Sequence, residues 1–486
     1  MADFSLEKDI LEDKIKGLSD REIGNKYNVN LKFIEKSITK NLGINISNPV
    51  NTLSNPLKII KKIVPKDFSL EQNTVWSFKS RGSWATHNGN YRGNWSPYIP
   101  RNILLKYSNE DDLVLDYFCG SGTTGVEAKL LNRNFIGIDI NENAVKLANE
   151  NADFLTKAAD ENVKFLEHSR VSIDFMVGDA RNLDLINDNS IDLICSHPPY
   201  SNIINYTHNN KSDLSNYEVG DFLKEIEKVA KESYRVLKDN KYCSILIGDM
   251  RKNKNVIPLG FWTIDKYLKE GFVIKELIIK RQHNCKTTGF WYTNSIKFNF
   301  LLLAHEYLVI FKKSDKKKVK NHKSNNTEVS FSQYEKSKIK FIENNNIQQE
   351  STTVWIFEKK DWVNNTLNNL IKRYGNGSYS IYNDNPKKSS NLLIYFYDNN
   401  FSNFSKDFYN YLEKEGILAI ICEDIRVDDN LVYSNPIYIE KYFNKDDKLK
   451  IKEIVVIQIK DAYNPNNKNS NLNINHKYLI IYKLNV

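Results

Sequence analysis

Between residues 66 and 312 the apolar positions fall into short continuous runs separated by amphipathic stretches. Val114-Leu115, Phe135-Ile136-Gly137-Ile138, Phe175-Met176-Val177, Ile191-Asp192-Leu193-Ile194, Ser244-Ile245-Leu246-Ile247 and Tyr307-Leu308-Val309-Ile310 read as strands, and Val126 to Leu131 and Phe222 to Leu237 as helices. This alternation predicts an α/β unit with a mostly parallel sheet covered by helices on both faces. Such a sheet takes its ligand at the carboxyl ends of its strands.

Residues 1–60 are patterned differently. Ile10, Leu11, Ile15, Leu18, Ile23, Tyr27, Val29, Ile34 and Ile38 recur at near-helical spacing and predict short amphipathic helices. The stretch Leu18 to Val29 resembles a helix-turn-helix, with Asp20 capping the first helix, Gly24 inside it and Asn28 at the turn. Lys32 and Lys36 would lie on the second helix; a three-helix module that only packs on its neighbour is the other reading.

Residues 313–330 are rich in Lys and Asn, have no apolar period and read as an exposed linker. The remaining unit, 331–486, looks like a degenerate copy of the second. Gly248-Asp249-Met250-Arg251 matches Glu423-Asp424-Ile425-Arg426, and Lys275-Glu276-Leu277-Ile278 matches Lys452-Glu453-Ile454-Val455. Glu306-Tyr307-Leu308-Val309-Ile310 matches Lys477-Tyr478-Leu479-Ile480-Ile481, and Thr74 to Phe78 matches Thr353 to Phe357. The copy has neither the Gly-rich loop nor the Pro-Pro-Tyr of the second unit, so it cannot carry the same chemistry.

Composition changes this picture little. A chain of 486 residues with 41% hydrophobic residues can bury more than one core. The net charge of +9 is partly local, since seven Lys against one Asp lie between Lys312 and Lys323. No apolar run reaches the roughly 18 residues of a membrane span, and the start lacks the pattern of a signal peptide, so a soluble, cytoplasmic protein is expected. The five cysteines have no paired spacing, and no metal is implied.

The chemistry lies at strand ends. Leu113 to Gly125 is a strand, a Gly-rich turn at Gly120 and Gly122, and a helix start, with Asp116 closing the strand. The glycines allow a close approach of backbone to ligand. An acid at that place would repel a pyrophosphate and suit a cationic amino acid moiety. Asp139 ends the next strand, where an acid hydrogen-bonds ribose hydroxyls, and Asp179 follows the third and could meet an adenine amino group.

Asp192-Leu193-Ile194-Cys195-Ser196-His197-Pro198-Pro199-Tyr200 is the most informative segment. Two prolines after a buried strand fix an extended backbone and remove its N–H groups, leaving carbonyl acceptors. Acceptors at Ser196 to Pro198 and at His197 would draw the protons of an amino group conjugated to a base, favouring its attack on a methyl donor. Tyr200 would stack on the extruded base. Two further segments mix basic, aromatic and polar residues: Arg81 to Arg101, with Arg81 and Arg92 placed to meet phosphates, and Lys280 to Tyr292, with Arg281 and Lys286.

The motif Asp116-Tyr117-Phe118-Cys119-Gly120-Ser121-Gly122-Thr123-Thr124, followed by Ser196-His197-Pro198-Pro199-Tyr200, resembles the amino-methyltransferases of restriction-modification systems, which act on N-4 of cytosine or N-6 of adenine. The resemblance spans roughly 75 to 312. It implies a Rossmann-like methyltransferase sheet, S-adenosyl-L-methionine as cofactor, double-stranded DNA as substrate and a cognate restriction endonuclease as partner. By the same resemblance the first motif holds the cofactor's methionine part, and Asn94, Ser96 and Pro100 of the preceding segment complete its pocket. The 331–486 unit would serve target recognition. One departure is His197, where the family has Asp, Asn or Ser. A neutral imidazole accepts one hydrogen bond and a protonated one none, so activity is expected to fall with pH through a pKa near ~6.5. Ser196 leans the choice of base toward cytosine. An RNA guanine N-2 methyltransferase and a non-catalytic DNA-binding regulator are the alternatives.

Overall fold

The computed structural model describes residues 20–29, 58–60, 62–66, 68–156, 171–201, 212–283, 288–314, 349–384, 386–397, 406–427, 431–460 and 471–485, with scattered positions elsewhere. They divide into two compact units, Met1–Leu57 and Lys58–Val486.

In the first unit, helix α1 (Asp20–Tyr27) is followed by Asn28 in the left-handed region at φ 54°. Val29 N–H reaches back to the Gly24 carbonyl at 3.0 Å, which closes the turn expected there. Asp20 lies inside the first helical turn and not at the cap. Ile10, Ile23 and Ile34 form a small core backed by Leu18, Tyr27, Val29 and Phe33. Lys32 and Lys36 lie outside the described residues.

Among its described residues the second unit contains two large sheets and three small two-stranded ones. The larger has eight strands: β1 (Val75–Trp76), β2 (Leu113–Asp116), β3 (Asn134–Asp139), β4 (Ile173–Val177), β5 (Ile191–Ser196), β6 (Leu237–Gly248), β7 (Phe272–Arg281) and β8 (His305–Lys313). Their spatial order is β1-β7-β8-β6-β5-β2-β3-β4. Only β8 runs antiparallel to its neighbours β6 and β7. Every residue of β5 is buried, as a near-continuous apolar run at the centre of a parallel sheet requires.

Strand side chains alternate between the two faces. Val114, Leu193, Leu246 and Leu308 pack with Ile99 and Ile103 of helix α2 (Tyr98–Tyr107) and Ala128 of helix α3 (Thr123–Leu130). Leu115, Ile194, Ile245 and Val309 pack on the other face with Phe222 and Ile226 of α5 (Val219–Val236) and Ile264 of α6 (Leu259–Glu270). Helix α4 (Glu142–Ala152) follows β3 and buries Ala144 and Ala148.

The smaller sheet has β9 (Val354–Glu358), β10 (Tyr379–Ile381), β11 (Ser390–Phe396), β12 (Leu412–Cys422), β13 (Leu449–Lys460) and β14 (His476–Leu484), in the order β9-β13-β14-β12-β11-β10. That order repeats β1-β7-β8-β6-β5-β2 strand for strand. Even the register slip between Ile274 and Glu276 recurs between Ile451 and Glu453. Among the described residues this sheet has nothing equivalent to β3 and β4. The duplication read from the sequence is therefore structural, and the copy stops short of the strands that end in and lead to Asp139 and Asp179.

The two sheets do not form separate bodies; they pack through reciprocal contacts. Arg251 donates to the buried Glu453 at 2.6 Å and to the Leu301 carbonyl at 2.9 Å. Its counterpart Arg426 donates to the buried Glu276 and to the Leu472 carbonyl. Thr74 meets His476 Nδ1 at 2.8 Å, and Thr353 meets His305 Nδ1 at 2.9 Å. A contact and its mirror image from one chain are what a two-fold interface between identical subunits shows.

Candidate active site

Strand β2 brings Asp116 to the sheet's carboxyl edge, and the turn into α3 needs left-handed backbone at Gly120 (φ 49°) and Gly122 (φ 81°). A Cβ on Gly122 would stand 2.9 Å from the Ala148 methyl, and one on Gly120 would stand 3.1 Å from the Tyr91 ring. Helix, loop and overlying segment thus fit only with glycine there.

The segment 81–101 is held over this loop by buried polar contacts. Glu127 of α3 is fully buried and accepts from Trp84 Nε1 and His87 Nε2 at 2.7 Å and Arg101 Nη1 at 2.8 Å. Arg81 donates to the carbonyls of Asn94 and Trp95, both at 2.7 Å. Asn94 Nδ2 then donates to Ser121 Oγ at 2.9 Å, and Asn94 Oδ1 accepts from Thr123.

The result is a pocket at the strand ends lined by Tyr91, Asn94, Asp116, Phe118, Gly120, Asp139, Asp179, His197 and Pro199, together with Ser212, Asp213 and Leu214. Asp116 is buried and ties three elements: it accepts from Ser196 Oγ and Thr124 Oγ1, each at 2.6 Å, and from Phe118 N–H at 3.1 Å. Burial raises its carboxyl to about 6, despite those donors. Asp139 accepts from the N–H groups of Gly120 and Asn141 at 2.9 Å, and burial raises it too. Asp179 is gripped by Arg181 at 2.6 and 2.8 Å and lies below its ordinary value, because Arg181 outweighs the effect of burial.

A second cleft, of about 500 Å³, shares Gly93, Asn94, Trp95 and His197 with the first. Phe78, Arg81, Tyr200, Lys280, Arg281, His283 and Glu306 line the rest. Where the two meet, the His197 ring stacks on Trp95, with centroids 5.6 Å apart and planes 20° apart. Burial lowers the His197 imidazole to about 4. Tyr200 Oη donates to Glu306 Oε1 at 2.5 Å and lies 3.3 Å from His197 Nε2. Lys280 closes the set at 2.7 Å from Glu306 Oε2 and, against burial, holds that carboxyl at about 2.

Several expected site residues fall elsewhere. Pro100 is buried within α2 and lines neither cavity. Ser121, Gly122, Thr123 and Thr124 shape the loop from behind the pocket lining. Ser96 lines the second cleft and not the acid-lined pocket, and its Oγ donates to the Arg81 carbonyl. Arg81 lines the second cleft, and its guanidinium is engaged there as a clamp on the Asn94 and Trp95 carbonyls. Arg92 is exposed, Arg281 lines the cleft, and Lys286 lies outside the described residues. The sequence reading missed Tyr91, Trp95, Lys280 and Glu306. Lys280 and Glu306 follow ordinary strand patterning, and only the antiparallel pairing of β7 with β8 sets them opposite each other.

Among the described residues no cluster of His, Cys, Asp or Glu could hold a metal ion, and no helix is long and apolar enough to cross a membrane. The acids suit a ligand with a positive charge and hydroxyl groups, which is the chemistry of S-adenosylmethionine.

An α/β sheet with an acid-lined pocket at its strand ends and a Pro-Pro-Tyr strand end is the arrangement of the methyltransferase class. The DNA methylase family model, of the N6/N4 type, matches residues 13–150 and 191–396, and the chain belongs to that family. A second model, for an RMKL-like methyltransferase domain, matches 103–255. The chain is 57% identical over 80 residues to the Type II methyltransferase M1.MboII of Moraxella bovis, covering 15% of this chain and 31% of that protein. It is 51% identical over 82 residues to M.HpaI of Haemophilus parainfluenzae, covering 17% and 26%. A release factor glutamine methyltransferase of Fusobacterium nucleatum matches at 32% identity, covering 34% of this chain and 48% of that protein. The chain spans 25 to 35% of the length of the first curated relatives it matches. A solved SAM-dependent methyltransferase from Methanosarcina mazei aligns at 19% identity and a TM-score of 0.29, over 44% of this chain and 97% of that one. The family implies S-adenosylmethionine as methyl donor and DNA as substrate.

Proposed function

We propose that the chain is a site-specific DNA methyltransferase that modifies the exocyclic amino nitrogen of cytosine or adenine, in a restriction-modification system with a cognate endonuclease, in the cytoplasm. The observation that carries this reading is the meeting of the acid-lined pocket and the 500 Å³ cleft at His197, beside Pro198 and Pro199.

In this reading Asp116, Phe118, Gly120, Asp139, Asp179 and Asn94 hold the cofactor. When bound, S-adenosylmethionine supplies an electrophilic sulfonium methyl group whose C–S bond pair leaves with sulfur. The protein's part is to present acceptors to the amino group of the base, so that its lone pair is directed at the methyl carbon. The Ser196 hydroxyl donates to Asp116 and is fully buried, out of reach of a base, so the acceptors are the strand-end carbonyls and the His197 ring. Tyr200 borders the base cleft, whose basic rim, Lys280 and Arg281, suits a nucleotide. The 1–60 module and the 331–486 copy would add DNA contacts and target recognition.

The test is methyl transfer from labelled cofactor to plasmid DNA and to total RNA, followed by nucleoside analysis. Labelled N-4 methylcytosine or N-6 methyladenine is expected. Label in RNA guanine alone, or none in either nucleic acid, overturns the reading.

A further inference from the structure

Glu306 sits on β8, 106 residues from Tyr200, yet its carboxylate accepts the tyrosine proton. Space for that contact comes from Gly248 of β6: a Cβ there would stand 3.3 Å from the Tyr200 ring. In the C-terminal copy the equivalent positions are Glu423 and Lys477, which pair with each other. The arrangement around Glu306 therefore belongs to the half that keeps the Pro-Pro-Tyr segment.

The hydrogen-bond directions follow from the donor inventory. A carboxylate only accepts and an ammonium only donates, so Lys280 and Tyr200 both donate to Glu306. With its proton committed, the tyrosine oxygen can only accept from His197 Nε2, and a neutral imidazole that carries its proton on Nε2 has Nδ1 as a lone-pair acceptor. Among the described residues Nδ1 has no hydrogen-bond partner, and the ring that carries it lines both cavities. The stack on Trp95 fixes the ring plane.

We propose that Glu306, anchored by Lys280, acts through Tyr200 as a positioning residue that sets the tautomer of His197 and makes Nδ1 the acceptor for the target amino group. This inference rests on the amino-methyltransferase reading above. It supplies, from another strand, the carboxylate missing before Pro198. As the amino nitrogen gives its lone pair to the methyl carbon, one of its N–H protons passes to Nδ1. The imidazolium so formed stays hydrogen-bonded through Tyr200 to the negative charge of Glu306 and then releases the proton to water. The charged groups bearing on His197 are Glu306 and Lys280, on adjacent strands.

The first measurement needs no turnover: long-range 15N–1H spectra of 15N-histidine-labelled protein, with His197 assigned by His197→Gln. Wild type is expected to show the Nε2–H tautomer, and Tyr200→Phe or Glu306→Gln a mixture. A wild-type Nδ1–H tautomer overturns the inference while leaving the methyltransferase reading intact. The second is single-turnover methyl transfer. Glu306→Gln, which keeps an acceptor but loses the charge, is expected to lower the rate by at least about tenfold, in the range of lost proton-transfer assistance. DNA affinity should stay within about threefold. Combining it with Tyr200→Phe should add little, because both break one chain. Full additivity of the two losses, or a loss confined to DNA affinity, overturns the inference. Wild type that transfers to no nucleic acid overturns the underlying reading, and the tautomer measurement still stands by itself.

Discussion

Burial moves the imidazole of His197 from its ordinary value down to about 4. The sequence alone placed an acid limb near ~6.5, the unperturbed value. With saturating cofactor, kcat should now stay flat from pH 8 to about 5 and fall only toward 4. A limb centred near 6.5 would show that water reaches the ring in the working enzyme. Asp116 gives a different signature at the same scale. Its carboxyl is raised to about 6, so it is protonated below that pH and charged above it. Cofactor affinity, measured by calorimetry, should therefore rise between pH 5 and 7 and then level off. Asp116→Asn should weaken binding by about tenfold or more, the worth of a charged hydrogen bond, and abolish that rise. For stability the sign is opposite. The folded state holds the Asp116 proton more tightly than the unfolded chain, so this group favours folding below about 4 and loses that contribution as pH climbs through 6.

At the scale of elements, the Gly-rich turn and the Pro-Pro-Tyr strand end were legible because each announces itself in residues with restricted or permissive backbones. Gly120 and Gly122 sit at positive φ. Gly122→Ala should cost on the order of 1–3 kcal/mol from backbone strain alone, before the clash with Ala148. A lower Tm with cofactor binding lost is the expected result. What was not legible is how distant elements complete the site. Nothing local in 81–101 says that Glu127 will pin it through Trp84, His87 and Arg101. Nothing in β8 says that Glu306 will face Tyr200. Arg81 reads as a phosphate contact from residue type alone, and residue type does not say that its guanidinium will donate to the Asn94 and Trp95 carbonyls at the edge of the cleft. Pairing between strands, not pattern along them, decides such cases.

For the whole molecule, the repeat seen in short sequence matches became a shared strand order, a shared register slip and a mirrored seam. Arg251 and Arg426 make the same test possible twice. Glu453 and Glu276 are fully buried, so removing either arginine strands a carboxylate, at a cost of about 3 kcal/mol or more. Arg251→Met and Arg426→Met should each lower the denaturation midpoint, and Arg251→Met with Glu453→Leu should recover most of the loss. Recovery is expected because a well-packed apolar pair avoids the desolvation of buried ions. Ending the chain near residue 330 should leave the larger sheet with an unsatisfied seam that associates with a second copy of itself. Sedimentation showing a stable, monomeric fragment would contradict that.

The mirrored seam has one more consequence. A body with two-fold packing but one working end is lopsided, while a palindromic duplex presents the same target on both strands. If the substrate is such a duplex, this chain can serve only one strand per encounter. It must let go, turn about and rebind for the other, so hemimethylated duplex should accumulate early in the reaction.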